Sequence, residues 1–478
     1  MIAALFDITQ WFCLVYVGVM NVGYLALNVV SFVTLGRYAR RHSLEVPEVY
    51  SDFEPPVTVI VPAYNEELTV VASVRSLLQL RYPQFEVVVV NDGSKDRTLA
   101  ALIEAFDLRL FPEVMRVRLK TARVRGVYRS PAHPELRVID KENGGKADAL
   151  NTGINAARYP LFCALDADGI LQPDSLRRVV RPFIEDSRTV ATGGIIRIAN
   201  GCDVVRGWLV RASPPRNLLG LLQVVEYCRA FLFGRLGWNP VNGLLVISGA
   251  FGVFHKETVI EAGGYRRNTI GEDMELVVRL HRFLGGAGRP YRIVFAPEPV
   301  CWTEAPESIG ALRTQRIRWQ RGLCESLWLN RQLLFSRRGG WAGWAAFPFA
   351  LLFECLSPVV EAVGWVYFGA GFLAGFVGWG FALAFLIVNI GFGTLLSVSS
   401  LLLDEISYHT YPRFRQILAL LVAATVENLG YRQMTAYWRL VGLVHWLAGT
   451  KAHWGEMKRT ADWSSPLPSP QASTTNRT

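Results

Sequence analysis

The chain has 478 residues, enough for two or three domains, and 51% of them are hydrophobic, a share that is high for a soluble protein. Its formal net charge is +10 at pH 7, yet no zinc-finger spacing, aromatic RNA-binding motif or continuous basic helix accompanies that charge, so we exclude a nucleic-acid partner. The basic residues lie near apolar segments, which indicates a membrane.

The cysteines are scattered along the chain, with no Cys-x-x-Cys pair and no histidine at the spacing of a metal site. We expect a chain whose cysteines are scattered in this way to keep its thiols reduced. We predict that all seven are packing residues: Cys13, Cys163, Cys202, Cys228, Cys301, Cys324 and Cys355.

The first apolar segment, residues 11–35, carries no charge and exceeds the roughly 20 helical residues that cross a bilayer. No Lys or Arg precedes it, whereas Arg37, Arg40, Arg41 and His42 follow it. The positive-inside rule therefore places the next part of the chain in the cytoplasm. We predict an N-terminal transmembrane helix over residues 1–36.

A link containing Pro47, Pro55 and Pro56 leads into alternating strand and helix patterns. Apolar runs predict strands over 57–61, 86–90, 136–140, 161–165 and 247–254, and helices over 69–80, 97–106, 146–157 and from 272 to about 284. This alternation predicts an α/β domain with a doubly wound parallel sheet. Residues 107–134 carry seven basic residues, which is typical of a solvated insertion; contact with anionic lipid is the alternative.

Two acids, Asp166 and Asp168, follow the buried strand 161–165 directly. Ligands bind at the carboxyl ends of parallel strands, and carboxylates are the hard ligands that hold a divalent cation against phosphates. The alternative is a surface turn whose acids cap the next helix.

Polar residues follow two further predicted strands at the same sheet edge: Asn65 and Glu66 after the first, and Asp92 after the second. Asp92 is suited to accept hydrogen bonds from a uracil or ribose. Lys146 stands at a helix start after Asn143-Gly144-Gly145 and is placed to meet a nucleotide, but the Walker spacing is missing, so a kinase is excluded. The alternative makes each of these segments a simple loop between a strand and a helix.

The C-terminal third returns to the membrane. Residues 313–341 mix Arg with Trp and Leu as an amphipathic helix lying on a membrane surface does. Trp319 is either an interfacial anchor or a platform on which the ring of a ligand stacks. Transmembrane helices are predicted within 342–448, at 344–368 and 377–403; Glu354 and Glu361 in the first face a protein interior. Polar residues interrupt 417–447, which leaves its course across or along the membrane open. Residues 449–478 form a basic and then disordered tail.

Four motifs occur in this order: Asn91-Asp92-Gly93-Ser94, Asp166-Ala167-Asp168, Gly271-Glu272-Asp273 and Gln315-Arg316-Ile317-Arg318-Trp319. With these four motifs, the sequence over about 57–322 resembles the processive, membrane-integrated family-two glycosyltransferases. That family includes cellulose, chitin, hyaluronan and poly-N-acetylglucosamine synthases. The resemblance implies a cytoplasmic GT-A domain over 55–312. It also implies inverting transfer of a sugar from a UDP-sugar to the hydroxyl end of a growing polysaccharide. The chain would then be a multi-pass inner-membrane protein that exports the polysaccharide, with possible export subunits.

The same resemblance implies roles for single residues. Asp92 and Asp166 hold the nucleotide, Asp168 coordinates Mg²⁺ or Mn²⁺, and Asp273 is the general base. Gln315, Arg318 and Trp319 meet the acceptor and the pyrophosphate. Glu272 and Glu275 are expected to be caps or solvated neighbours.

Two departures from the family limit the choice of product. The Phe-x-Val-Thr-x-Lys gating segment of bacterial cellulose synthases is not recognisable, and no C-terminal regulatory domain follows, which favours a poly-N-acetylglucosamine or hyaluronan synthase pattern. The sugar itself stays open. The alternatives are a single-transfer glycosyltransferase acting on a polyprenyl phosphate or diacylglycerol, and a catalytically silent export subunit.

Overall fold

The computed structural model describes residues 2–42, 54–205 and 208–450. The link around Pro47 and the tail from residue 451 onward therefore lie outside the described residues.

One large sheet forms the centre of the domain that follows the first helix. Ten strands, in the order β3-β4-β5-β2-β1-β6-β11-β8-β12-β7, pair in this sheet, and β9 and β10 form a separate hairpin. The strand bounds are β1 Val57–Ala63, β2 Phe85–Asn91, β3 Arg109–Leu110, β4 Val124–Arg129, β5 Leu136–Lys141, β6 Leu161–Leu165, β7 Ile170–Leu171, β8 Thr189–Ile198, β9 Asp203–Val205, β10 Trp208–Arg211, β11 Phe251–His255 and β12 Arg292–Thr303.

The middle of the sheet is parallel and its flanks are mixed. Strands β5, β2, β1 and β6 pair in parallel, as the sequence predicts. Strand β11, however, is antiparallel to both β6 and β8, so the prediction of a wholly parallel sheet is wrong beyond β6. The predicted strand over 247–254 begins only at Phe251, because residues 247–250 form a loop at the sheet edge.

The helices of the described chain are α1 Ile2–His42, α2 Val70–Leu77, α3 Thr98–Phe106, α4 Lys146–Ala156, α5 Ser175–Glu185, α6 Leu218–Tyr227, α7 Gly234–Leu236, α8 Lys256–Glu261, α9 Glu272–Gly286, α10 Ile309–Leu329, α11 Phe347–Phe349, α12 Ser357–Leu373, α13 Trp379–Leu386, α14 Phe392–Tyr408, α15 Phe414–Val426 and α16 Arg432–Leu447. One π-helical segment, Ile387–Gly391, joins α13 and α14 into one continuous helix.

Helices cover both faces of the sheet, which explains why its central strands read as unbroken apolar runs. Alternate residues of β1 enter different cores: Val59 packs with α2, α3 and α5, whereas Ile60 packs with α4 and α9. Both side chains are fully buried. This double covering fixes the sheet edge at which the parallel strands end and the polar loops begin.

The basic segment 107–134 is not a detached insertion. Its strand β4 pairs antiparallel with β5 and extends the sheet, while most of its basic side chains stay exposed.

Two described helices are long and apolar enough to cross a membrane, residues 8–40 and 379–408. The predicted span over 344–368 is instead a bent pair, Ala342–Cys355 and Ser357–Leu373, which meet at 40° and make a third span if they cross as one unit. The segment 417–447 is kinked between α15 and α16, where Leu429 and Gly430 leave helical geometry.

The amphipathic helix predicted over residues 313–341 is shorter than expected. It begins earlier, as α10, and ends at Leu329, after which two short 3₁₀ turns follow. It packs against α9 and α16, and four polar side chains lie on its buried side: Gln315, Arg316, Gln320 and Ser326. The helix therefore joins the sheet domain to the C-terminal helices.

Candidate functional site

The site lies where the parallel strands end. The loops after β1, β2, β5 and β6 carry Asn65 and Glu66, Asp92, Lys146 and Asp166, in that order. Because the carboxyl ends of parallel strands meet at one sheet edge, these polar residues share a single crevice. The structure thus brings the predicted loops to the same edge.

Lys146 is the centre of a charged cluster at this edge, which we call the lysine cluster: Lys146, Asp166, Glu272 and Asp273. The Lys146 Nζ lies 2.5 Å from Asp166 Oδ1 and 3.5 Å from Glu272 Oε1. Burial disfavours the ammonium, but the carboxylates of Asp166, Glu272 and Asp273 outweigh it and raise the pKa of Lys146 above its usual value. Lys146 therefore stays charged and is available to an anionic group.

Glu272 is buried, so it is not the solvated residue that the sequence suggested. Burial raises its pKa to about 7, with Lys146 acting against the shift and Asp273 adding to it. Glu275 is also fully buried and pairs with Arg279 at 3.0 Å. The sequence suggested exposure because acids in a first helical turn are usually solvated, whereas the start of α9 is covered by other loops.

Glu272→Gln is expected to stabilise the protein more at alkaline than at acidic pH. The folded pKa of about 7 exceeds the unfolded value of 4.5, so the folded chain binds more protons between them and loses stability as pH rises through that window. Thermal unfolding in detergent, compared at about pH 5 and about pH 8, measures the difference. A gain that is equal at both pH values would contradict the shift; the exposed Glu104→Gln is the control.

Asp273 is the second residue of α9 and faces the loop before β11. Its Oδ2 accepts a hydrogen bond from the Gly249 backbone N–H at 2.8 Å. A Cβ at Gly249 would lie 3.0 Å from Lys146 Nζ and 3.3 Å from Asp273 Oδ2. Glycine at this position therefore keeps a side chain from crowding the ammonium and the carboxylate.

Asp92 is buried, and its carboxylate is engaged within the protein. It accepts hydrogen bonds from the backbone N–H groups of Gly144 at 3.0 Å and Gly145 at 2.7 Å and pairs with the buried Lys141. Lys141 also pairs with Asp148 at 2.8 Å. In this arrangement Asp92 orders the turn that presents Lys146. Lys141 was not predicted as part of the site, although a lysine at the end of a buried strand was a visible signal.

Asn65 and Glu66 lie in the first loop and are tied to the second. The Asn65 N–H donates to Ser94 Oγ at 3.0 Å, and the Asn65 side-chain oxygen accepts from the Lys95 N–H at 2.9 Å. The Glu66 N–H donates to Thr98 Oγ1 at 2.8 Å. These bonds join the loops after β1 and β2 into one wall of the crevice, apart from the lysine cluster.

Asp168 lies two residues beyond Asp166 and is buried. Burial raises the pKa of Tyr227 to about 12; Arg316 opposes that shift, and Glu226 and Asp168 add to it. The Tyr227 ring centroid lies 6.5 Å from that of Trp319 on α10, so Tyr227 is near both Asp168 and helix α10.

The α10 segment of residues 315–319, which we call the acceptor segment, has a buried and an open side. Arg316 pairs with Glu226 at 2.6 Å, and its guanidinium lies 4.3 Å from the centroid of the Trp319 ring. The Trp319 side chain is 38% exposed, while Gln315 is buried and Arg318 half-buried. The ion pair between Arg316 and Glu226 was not predicted, because nothing in the sequence marks a pair that is 90 residues apart.

The acids after β6 suit a divalent cation. No group of three or more His, Cys, Asp and Glu side chains in the described ranges forms a closed metal cage. Mg²⁺ on a diphosphate, however, takes only one or two protein carboxylates and completes its shell with phosphate and water. Asp166, whose side chain is 31% exposed, and Asp168 offer that donor set.

All seven cysteines are free, and six are buried, which confirms their prediction as packing residues. Cys324 on α10 and Cys355 at the bend before α12 touch, with their sulfurs 3.1 Å apart.

Two family models match the chain. Residues 58–218 match Glycosyl transferase family 2, and residues 161–395 match Glycosyl transferase family group 2. Among curated proteins, the poly-β-1,6-N-acetyl-D-glucosamine synthase of Staphylococcus aureus is 30% identical over 284 residues, covering 59% of this chain and 58% of that protein. The synthase of the same name from Staphylococcus epidermidis is 28% identical over 267 residues, 56% of this chain and 54% of that protein. The chain thus matches little more than half the length of these relatives.

Among solved structures, the mannosyltransferase PcManGT of Pyrobaculum calidifontis, in complex with GDP-Man and Mn²⁺, is similar in fold. It has a TM-score of 0.50 and 18% sequence identity, with 87% of this chain and 99% of that chain covered. Together with the family matches, this likeness confirms the expected GT-A type of α/β fold.

Proposed function

Because the chain belongs to the family-two glycosyltransferases, we propose that it transfers a sugar from a UDP-sugar, with inversion, to the hydroxyl end of a growing polysaccharide. The observation that carries the proposal is the lysine cluster, in which a charged amine and a helix-start carboxylate face each other across Gly249. The names of the curated relatives favour N-acetylglucosamine as the sugar.

In the proposed reaction the acceptor hydroxyl attacks the anomeric carbon from the face opposite the diphosphate. The new glycosidic bond forms as the bond to the diphosphate oxygen breaks, and the electron pair leaves with UDP. Asp273 accepts the hydroxyl proton, a role that typically contributes about 10²–10⁴-fold. Lys146 neutralises charge that develops on the leaving group, which matters most in a site with little water.

The nucleotide would lie along the wall formed by the loops after β1 and β2. Asn65 and Glu66 belong to that wall, Asp166 sits beside Lys146, and Asp92 contributes by holding the turn before Lys146. Asp168, with Asp166, would hold Mg²⁺ or Mn²⁺, which supplies positive charge to the diphosphate when bound.

The acceptor would reach the site along α10. Trp319 offers an exposed ring face for a sugar, and Arg316 beneath it keeps the ring in place. Gln315 and Arg318 belong to the same turn of the helix. This side of the crevice is continuous with the helices that follow, which supports a path for the product between them.

We place the catalytic domain, residues 55–312, in the cytoplasm and the helices within 342–448 in the inner membrane. The candidate spans at residues 8–40 and 379–408 lie on either side of the domain in the sequence and support this arrangement. Arg37 and Arg40 at the C-terminal end of the first span agree with it. Processive synthesis would then be coupled to export, with or without further subunits.

The test is incubation of the purified protein in lipid nanodiscs with UDP-N-acetylglucosamine, UDP-glucose or UDP-glucuronate, read by UDP release and by product length. We expect turnover with one donor, long products, and loss of turnover when EDTA removes divalent cations, with recovery on adding Mg²⁺ or Mn²⁺. A single sugar per lipid molecule would favour the lipid glycosyltransferase instead. Turnover that survives EDTA would contradict the metal assignment, and no UDP release from any donor would contradict the proposed donor class.

A further inference from the structure

Helix α10 is in direct backbone contact with the loop that leads into Asp273. A Cβ built on Gly271 would lie 2.9 Å from the Cα of Gly322, and a Cβ on Gly322 would lie 2.9 Å from the Cα of Gly271. Because the obstructing atoms belong to backbone, neither side can move aside for a larger residue. Glycine at both positions lets the backbone of α10 contact the backbone at the start of α9.

Glu325, one turn beyond Gly322, fastens this contact. Its Oε2 accepts hydrogen bonds from the Ile270 backbone N–H at 2.9 Å and from Thr269 Oγ1 at 3.1 Å. Its Oε1 accepts from Arg321 Nε at 2.9 Å, so the carboxylate is itself held on the helix. Ser326 Oγ donates to the Gly322 carbonyl of its own helix at 2.7 Å and lies 3.3 Å from the Gly271 carbonyl. The loop is thus hydrogen-bonded to α10 at Thr269 and Ile270 and is in backbone contact with it at Gly271.

The two ends of this connection belong to different parts of the reaction. Ile270 precedes Asp273 by three residues, whereas Glu325 follows the acceptor segment on one unbroken helix. A helix rises about 1.5 Å per residue and bends little, so α10 sets the distance between the two. The carboxylate that receives the proton is therefore positioned by the same helix that meets the acceptor.

We propose that Glu325 is a positioning residue that holds Asp273 in register with the acceptor bound on α10. This inference rests on the proposed function, since it takes Asp273 as the base. It assigns Glu325 no contact with donor or acceptor. Its removal should misplace the base while the donor side of the crevice, built from β1, β2, β5 and β6, stays intact.

The test compares Glu325→Ala, Glu325→Gln and wild type in nanodiscs. We expect Glu325→Ala to lower kcat by up to about 10²-fold, because a small misplacement of a reacting group has an effect of that size, with KM for the UDP-sugar nearly unchanged. Glu325→Gln, which keeps an acceptor oxygen for the Ile270 N–H, should recover most of the loss. Arg313→Ala, on the exposed side of the same helix, is the matched control and should behave as wild type.

Hydrogen exchange provides the second measurement and does not depend on turnover. In Glu325→Ala the amides of residues 269–273 should exchange faster, while those of β1 and β6 keep wild-type protection. Unchanged exchange at 269–273, or faster exchange with unchanged kcat, would overturn the inference. If wild type is active and Glu325→Ala is equally active, the role of Glu325 is refuted and the proposed function is not. Absence of UDP release from wild type would refute the proposed function, and the role of Glu325 with it.

Discussion

Asp273→Asn is expected to reduce sugar transfer by about 10²–10⁴-fold, because the amide cannot accept the proton of the attacking hydroxyl. Its side-chain oxygen can still accept the Gly249 N–H, so the site should keep its shape. UDP binding, measured by calorimetry, should therefore stay close to wild type while UDP release in the presence of acceptor falls.

The exposed substitution Glu104→Gln, on α3, is the control for removal of one negative charge and should leave turnover unchanged. Wild-type turnover by Asp273→Asn would show that another group takes the proton. In that case Glu272 would be the next residue to test, because its raised pKa of about 7 suits a group that exchanges protons near neutrality.

Arg197→Met is expected to destabilise the whole protein by about 3–5 kcal/mol, the usual result of leaving one member of a buried ion pair without its partner. The Arg197 guanidinium on β8 donates two hydrogen bonds to Asp404 on α14, at 3.0 and 2.8 Å, and both side chains are buried. This pair connects the catalytic sheet to a candidate membrane span. Thermal unfolding of the detergent-solubilised protein measures the loss.

The double variant Arg197→Met/Asp404→Leu should recover much of that stability, because neither charge is then left buried alone. Arg188→Met removes an exposed arginine that pairs with Asp186 and should change little. Equal destabilisation by the single and double variants would show that packing, and not the unpaired charge, causes the loss.

The sequence predicted the parallel half of the sheet and its polar edge well. Strands β1, β2 and β6 are buried on both faces, and such strands read as apolar runs whatever surrounds them. Once these strands are parallel, the residues that follow them must share one edge. The neighbourhood of Lys146 and Asp166 was therefore predictable from local patterns alone.

Contacts between distant segments were not predictable. Glu226 on α6 and Arg316 on α10 meet only because the fold brings the two helices within side-chain reach. Glu325 reaches Ile270 only because two glycines allow the backbones to touch. The bend after Cys355 was also missed, because an apolar run alone does not show where a helix breaks. Pro358, near the start of α12, was the one visible signal, since proline is favoured in a first helical turn.

The make-up of the lysine cluster has a consequence for what can enter it. Three carboxylates, those of Asp166, Glu272 and Asp273, surround one ammonium, so negative charge is in excess even when Glu272 is protonated. A small anion that arrives by itself meets repulsion, whereas a diphosphate accompanied by a counter-ion does not. We therefore expect free phosphate to bind weakly at the lysine cluster. Titration with inorganic phosphate should inhibit the protein only weakly.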